Sequence, residues 1–192
     1  MSISNEQRIV AKAVIDAFGG TPKVFKYWDD RNEASADILS CADQPYEGIT
    51  SFSTLGLAEH SIGYTVEDVP LRIEIVGACD HAQDCFSNII ASCAFYIIND
   101  KFACYPGAMF RNIVELYKPD SPLKHILFAT PFLWDDKLKT LHLPNMQVTW
   151  LLAVPISDAE FEFAKKNGSD ALESLFEEKQ IDMFDLMRKS VV

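Results

Sequence analysis

The most constraining feature of the sequence is the apolar run at residues 147–154, QVTWLLAV. Eight residues suit a single strand, and the run is too continuous in its hydrophobicity for a strand with one face in water. We therefore predict that it forms a central strand of a sheet that is covered on both faces. Trp150, in the middle of the run, is predicted to lie in the core.

Hydrophobic periodicity predicts further strands and helices along the chain. The predicted strands are 23–28, 36–40, 49–55, 69–76, 123–128, 138–143 and the central 147–154. The predicted helix N-caps are Ser4 or Asn5, Asp80, Ser157 or Asp158, Ser169 and Asp182. Residues 110–116 fit either a strand or a helical turn. Because no linker or internal repeat interrupts this pattern, we expect one compact α+β domain over residues 1–192.

The region around Gly77 carries specific expectations. Apolar and charged side chains alternate in residues 69–76, which predicts a strand with one face in water. Gly77 is expected to end this strand, and Asp80 is expected to cap a long apolar helix. On that helix His81 and Cys85 would be four residues apart and would share one face.

Charge and composition narrow the classes of function. The formal net charge of −11 argues against direct binding of nucleic acid, because phosphates need clustered Lys and Arg. The chain begins without a secretory signal, and its apolar runs are far below the roughly 20 residues of a membrane helix. The five cysteines, an odd number, are typical of reduced thiols. We expect a soluble, cytoplasmic protein with no membrane partner, and the sequence leaves its oligomeric state open.

The acidic residues are concentrated between residues 59 and 84, where six acids accompany one base, Arg72. If these acids share a face, they form a docking patch for a basic protein partner. An ordinary solvated surface would give the same pattern. The candidate partner-binding residues are Glu59, Glu67, Asp68, Asp80 and Asp84. The adjacent pair at 67 and 68 is the strongest candidate, because it lies in a predicted turn between strands.

Catalytic patterns are weak. Cys79, His81 and Cys85 could contribute to a zinc site or a reactive thiol, but no second pair of ligands follows at a typical spacing. The serines lack a G-x-S-x-G setting, and no glycine-rich phosphate-binding motif is present. We therefore predict no catalytic residue, no metal and no cofactor, and we keep a small thiol or metal enzyme as an alternative.

Several segments carry a resemblance to a known family. They are YPGAMFRNIVELY (105–117), SPLKHILFATPFLWDD (121–136), ITSFSTLGL (49–57), VPISDAE (154–160) and the last residues, 182–191, with Arg188 and Ser190-Val191. From about Ile49 to its end, the chain resembles the suppressor-of-fused domain family. The resemblance implies a mixed β-sheet flanked by helices, and it supplies no catalytic motif.

The resemblance also implies a function. Larger animal members of the family are cytoplasmic scaffolds that sequester a transcription factor, whereas many single-domain bacterial members are thought to be immunity proteins. Such proteins neutralise a toxin, often a nuclease, from the same locus. We therefore expect a non-catalytic binding protein or antitoxin whose partner is a basic toxin domain. The second expectation is a scaffold that sequesters a regulatory protein, with a peptide added as a strand to a sheet edge.

Overall fold

The computed structural model describes residues 4–192, which form four helices and nine strands. The helices are α1 (Asn5–Phe18), α2 (Phe86–Ile98), α3 (Asp158–Asn167) and α4 (Ser169–Lys179). The strands are β1 (Lys23–Trp28), β2 (Ser35–Ala42), β3 (Ile49–Leu55), β4 (Thr65–Val66), β5 (Val69–Asp80), β6 (Met109–Phe110), β7 (Leu123–Ala129), β8 (Leu141–Leu143) and β9 (Met146–Ser157). Within this described range, no helix is both long and apolar enough to cross a membrane.

The strands form one mixed sheet between two helical layers. Its main order is β1-β2-β3-β5-β9-β7-β6, with β4 paired to β5 and β8 paired to β9. β5 and β9 are parallel, and the other pairs are antiparallel. α2 packs on one face, and α1, α3 and α4 pack on the other. The predicted α+β fold, with a mixed sheet flanked by helices, is confirmed.

The central position of β9 explains its apolar sequence. The strand lies between β5 and β7, and its side chains contribute to both hydrophobic clusters. Leu151 and Ala153 face α2, whereas Val148 and Trp150 face the other helical layer. Trp150 is 1% exposed, so the prediction that it lies in the core is confirmed.

Two helices begin at predicted N-cap residues, and each start forms a capping box. The Ser4 hydroxyl accepts a hydrogen bond from the Gln7 backbone, and the Gln7 side chain accepts one from the Ser4 backbone. Ser157 and Glu160 make the same reciprocal pair at the start of α3. These pairs satisfy backbone N–H groups that the first helical turn leaves free. The predicted starts of α1 and α3 are therefore confirmed.

The expected strand end at Gly77 is wrong. β5 runs through this residue to Asp80, and its last residues pair with β3. Glycine at position 77 lets the ring of Phe86 pack against the strand, because a Cβ there would lie 2.8 Å from that ring. α2 begins only at Phe86, so Asp80 ends a strand and does not cap a helix.

Other boundaries also differ from the predictions. The helix expected from Asp182 is absent from this part of the described chain, where the side chains of Asp182 and Asp185 instead accept backbone hydrogen bonds in successive turns. Ser169 is the first residue of α4, whose N-cap is Gly168. The ambiguous segment 110–116 contributes the end of β6 and then turns. Of residues 138–143, only Leu141–Leu143 form a strand.

Candidate partner-binding surface

The β4–β5 hairpin carries the strongest acidic pair of the sequence. β4 pairs with the start of β5, which leaves Glu67 and Asp68 as a two-residue turn. Their φ angles are 50° and 63°, and tight hairpin turns require such positive values. Both side chains are exposed, and the ion pairs within residues 4–192 lie elsewhere. The turn therefore presents two uncompensated carboxylates to the solvent.

Exposed apolar side chains flank this turn. Tyr64, Val66 and Tyr105 each expose more than two fifths of their surface, and the Tyr64 and Tyr105 rings meet edge to face at 6.1 Å. Glu59 lies at the same end of the sheet, because β3 runs antiparallel to β5 and leads into the 3-10 turn Leu57–Glu59. Tyrosines are enriched at protein interfaces. We name residues 64–70 the acidic hairpin.

Asp80 and Asp84 lie at the opposite end of the sheet. β5 has 12 residues, from Val69 of the acidic hairpin to Asp80, and at about 3.3 Å per residue it spans roughly 36 Å. Asp84 follows in the turn before α2 and is exposed, as is Asp80. The five predicted residues therefore form two separate acidic groups, and the structure does not bring them together into one patch.

Glu74, which belongs to the same acidic stretch, is not a surface residue. It is 0% exposed, and its carboxylate accepts hydrogen bonds from the Thr54 hydroxyl and from the backbone N–H groups of Gly56, Leu57 and Ala58. Burial raises the pKa of Glu74 to about 7 in spite of these bonds. These hydrogen bonds hold the 3-10 turn after β3 against β5.

The prediction that β5 keeps one face in water is also wrong, because the face that carries Glu74 is buried. Residues 73–79 of β5 are buried on both faces, because α2 covers one side and α1 covers the other. The alternation of apolar and charged residues in 69–76 therefore does not mark a solvent-exposed face, because the acid in it, Glu74, is buried and hydrogen-bonded. Gly56, which directly follows β3 and adopts a left-handed conformation at the start of the 3-10 turn, was the sequence signal for this tight turn.

The cysteine and histidine cluster does not form the predicted geometry. Cys79 is buried at the end of β5 with its Sγ 3.2 Å from the Phe184 carbonyl oxygen, and Cys85 only precedes α2. His81 turns away, and its Nε2 accepts a hydrogen bond from the Asp43 backbone. Burial raises the pKa of both thiols, which opposes formation of a reactive thiolate. Across residues 4–192, no group of three or more possible ligands could hold a metal ion.

His125 is likewise used structurally. Its Nδ1 accepts a hydrogen bond from the Asn112 backbone at 2.9 Å, and its Nε2 lies 2.9 Å from the Asp158 carboxylate. The ring also packs against Phe161. With both ring nitrogens occupied, this histidine holds β7 against α3 and leaves no free nitrogen for a thiol nucleophile.

The family follows from comparison with known proteins. The family model described as suppressor of fused protein (SUFU) matches residues 32–189, which is more than three quarters of the chain. The chain belongs to the suppressor of fused family. The resemblance seen in the sequence is thereby confirmed, and the SUFU match includes every strand except β1.

Known proteins resemble this SUFU-family chain in sequence and in fold. The chain is 53% identical over 192 residues, which is the full length of both proteins, to the protein named immunity protein YqcF from Bacillus subtilis (strain 168). A SUFU homolog from Neisseria gonorrhoeae FA 1090 superposes with a TM-score of 0.71 at 18% identity, over 97% of this chain and 96% of that one. A chain of a Sufu–Fu complex gives a TM-score of 0.69 at 13% identity, over 96% and 91%. The two structures establish the fold alone.

One buried ion pair holds the C-terminal residues of this SUFU-family chain in place. Glu160 is 0% exposed, and its two oxygens accept hydrogen bonds from Arg188 at 2.7 and 3.0 Å. The same guanidinium donates to the Pro155 carbonyl oxygen, and the Val191 backbone donates to Glu160. In the sequence, Glu160 and Arg188 belong to two separate segments of the family resemblance, and nothing in the sequence indicated that they meet.

Proposed function

We propose that the chain is an immunity protein, which binds a toxin domain and blocks it without catalysis of its own. The observation that carries this proposal is the 53% identity to immunity protein YqcF over the full length of both chains. The proposal is supported by the structural use of two candidate reactive groups, because the buried Cys79 thiol and the His125 ring are both held in structural contacts. A toxin that acts inside the cell would place the immunity protein in the cytoplasm.

The charge of the chain favours a basic partner. The net charge is −11, and the five candidate acids are exposed and make no ion pair within residues 4–192. A nuclease toxin holds its substrate with Lys and Arg, and an acidic protein can cover such a surface. Opposite charge also raises the rate of encounter between the two proteins. We therefore propose a basic toxin domain, such as a nuclease domain, as the partner.

The direct test uses the toxin domain encoded at the same locus. Purified toxin domain and purified chain are mixed, and the complex is followed by size-exclusion chromatography together with the activity of the toxin. The proposal expects a stable complex in which the toxin is inactive. An active toxin in the presence of excess chain, with no complex on the column, would contradict it.

The contribution of the acidic hairpin is tested by charge reversal. We expect the double variant Glu67→Lys and Asp68→Lys to lower the association rate constant by about an order of magnitude or more, with the loss shrinking as salt rises. Association is measured by stopped-flow mixing at low and at physiological salt. The matched control, Asp30→Lys with Glu33→Lys, changes the net charge equally in the exposed turn between β1 and β2, outside both the acidic hairpin and the region of Asp80 and Asp84.

The two charge-reversal pairs separate a local contact from a general field effect. Equal slowing by both pairs would show that the total charge sets the rate. A rate unchanged at low salt by the hairpin variant would exclude the hairpin as a contact.

A second candidate function rests on the free edge of the sheet. Within the described residues β1 is an edge strand, and its Val24, Phe25 and Trp28 side chains are all more than half exposed. A free edge with apolar side chains can accept a peptide as an added strand. A scaffold of this kind would lose its partner in the variant Phe25→Lys, whereas a toxin bound through the acidic surfaces would still bind.

A further inference from the structure

An apolar groove lies between α4 and the sheet, on the face that α1 and α3 also cover. Its volume is about 700 Å³. Leu127 of β7 and Val154 of β9 form its floor, Phe176 of α4 forms one wall, and Phe132, which is 60% exposed, forms the lip. Grooves of this size with an apolar floor can accept one or two large side chains. We name this feature the α4 groove.

Three carboxylates form the rim of the α4 groove. Asp170, Glu173 and Glu177 line it, and their spacing of three and four residues places them along one side of α4. Within residues 4–192 none of the three forms an ion pair. Burial, together with the negative charge of Asp170, raises the pKa of Glu173. The rim therefore concentrates negative charge that the chain itself does not neutralise.

The groove belongs to the acidic end of the sheet that contains Asp80 and Asp84. Met183 lines the groove, and the carbonyl oxygen of the next residue, Phe184, accepts a hydrogen bond from the Asp80 backbone at 3.1 Å. The acidic hairpin lies at the other end of β5. The α4 groove thus lies at the end of the sheet away from the acidic hairpin.

We infer that the α4 groove is the anchor site for the toxin, and that it takes an apolar side chain flanked by Lys or Arg residues. The inference rests on the proposed function and adds the chemistry of the contact. An apolar residue would bury itself in the groove, while its basic neighbours would pair with the three rim carboxylates. Side chains that fill well-packed pockets supply most of the binding energy of protein interfaces.

Charge complementarity decides between this occupant and a second copy of the chain. A symmetric pair of copies would bring the same three carboxylates on each side towards one another, in molecules that each carry a net charge of −11. Like charges at an interface oppose association. A basic segment is attracted to the rim.

The acidic hairpin and the α4 groove should affect different rate constants of toxin binding. Short-range contacts in a pocket govern the dissociation rate constant, whereas distant charges govern the association rate constant. Variants of the α4 groove should therefore accelerate dissociation. Reversal of the acidic hairpin should slow association and leave dissociation nearly unchanged.

The test fills the groove without a change of charge. Ser174 is exposed on α4 and lines the groove, so Ser174→Trp places a large ring where the toxin side chain would enter. We expect this variant to raise the dissociation rate constant of the complex with the toxin domain encoded at the same locus by about 30-fold or more. The association rate constant should change by less than about threefold. Unfolding midpoints check that the variant is folded.

A charge reversal on the rim gives a second, independent readout. Glu177→Lys should weaken the complex by about tenfold. Its matched control is Glu178→Lys, because Glu178 is the next residue of α4, is exposed and pairs with Lys179 away from the groove. The control should weaken the complex by less than about threefold.

The outcomes distinguish the groove from the function. If the unmodified chain binds the toxin domain and both groove variants bind as tightly, the groove is not the anchor and the immunity function stands. If the unmodified chain does not bind the toxin domain at all, both proposals are wrong. If the pure chain forms dimers in sedimentation experiments and Ser174→Trp abolishes them, the groove binds a second copy and the inference is overturned.

Discussion

The substitution Arg188→Met tests how the C-terminal residues are held. It keeps a side chain of similar length and removes the guanidinium. The loss leaves the fully buried Glu160 carboxylate with only the Ser157 and Val191 backbone donors. The carbonyl oxygen of Pro155 also loses a donor. The substitution thus leaves a buried charge whose principal partner is gone.

The expected magnitude follows from those lost contacts. Breaking a buried ion pair on one side costs about 3–5 kcal/mol, because the remaining charge is buried without compensation. Two hydrogen bonds to a charged group, each contributing roughly 1.5–3 kcal/mol, give a similar figure. A domain of ordinary stability has only about 5–15 kcal/mol in total. Arg188→Met should therefore remove a large part of the free energy of unfolding.

Urea unfolding measures this loss. With a slope of about 2 kcal/mol per molar urea, the midpoint should fall by about 1.5–2.5 M. The exposed neighbour gives the control, since Lys189→Met should change the free energy of unfolding by less than about 0.5 kcal/mol. The double variant Glu160→Gln with Arg188→Met should recover at least half of the loss, because glutamine still completes the capping box with Ser157. A loss below about 1 kcal/mol in the single variant would show that the Glu160–Arg188 ion pair does not hold the C-terminal residues in place.

Two further predictions concern the buried centre of the sheet. Trp150→Ala should lower the free energy of unfolding by about 3–5 kcal/mol in urea, and a loss below about 1 kcal/mol would contradict the central position of β9. Trp150→Phe should cost less, because the Trp150 Nε1 has no hydrogen-bond partner within residues 4–192. For Glu74, the folded pKa of about 7 exceeds the ordinary 4.5, so its contribution to stability is complete below pH 4.5 and is lost as pH rises to about 7. Relative to Glu74→Gln, unfolding curves across this range should show a loss of about 3 kcal/mol, and a pH-independent difference would contradict the raised pKa.

The sequence was most informative where one local cause determines the structure. The apolar run of β9 can be satisfied only by burial on both faces, and the helix starts at Ser4 and Ser157 need no residue from outside their own turn. These elements were predicted correctly. The family resemblance was also visible in short segments, and the family model later matched residues 32–189.

Long-range packing was the main source of error. Gly77 has the sequence appearance of a strand terminator, yet its role is to admit the ring of Phe86, which lies nine residues later on a helix. Glu74 looks like an outward-facing acid until α1 and the turn after β3 close over it. The α4 groove could not be predicted, because β7, β9 and α4 meet there only in the folded chain.

The acidic surface shows the limit of charge counting. Sequence position suggested one patch between residues 59 and 84, but a strand of about 36 Å separates its two ends. Because the two ends are separate, their effects can be measured separately: distant charges affect the association rate constant, and close contacts affect the dissociation rate constant. The acids at the rim of the α4 groove were not part of this count, because they lie far along the chain from residues 59–84.

Survival of cells that express the toxin domain tests the proposed immunity function directly. The domain encoded at the same locus is expressed from an inducible promoter, with or without this chain, and viable cells are counted. The account predicts that the unmodified chain restores viability, that Lys189→Met does so equally, and that Ser174→Trp restores it poorly at matched protein levels. Cells that die at the same rate with and without the folded chain would contradict the account.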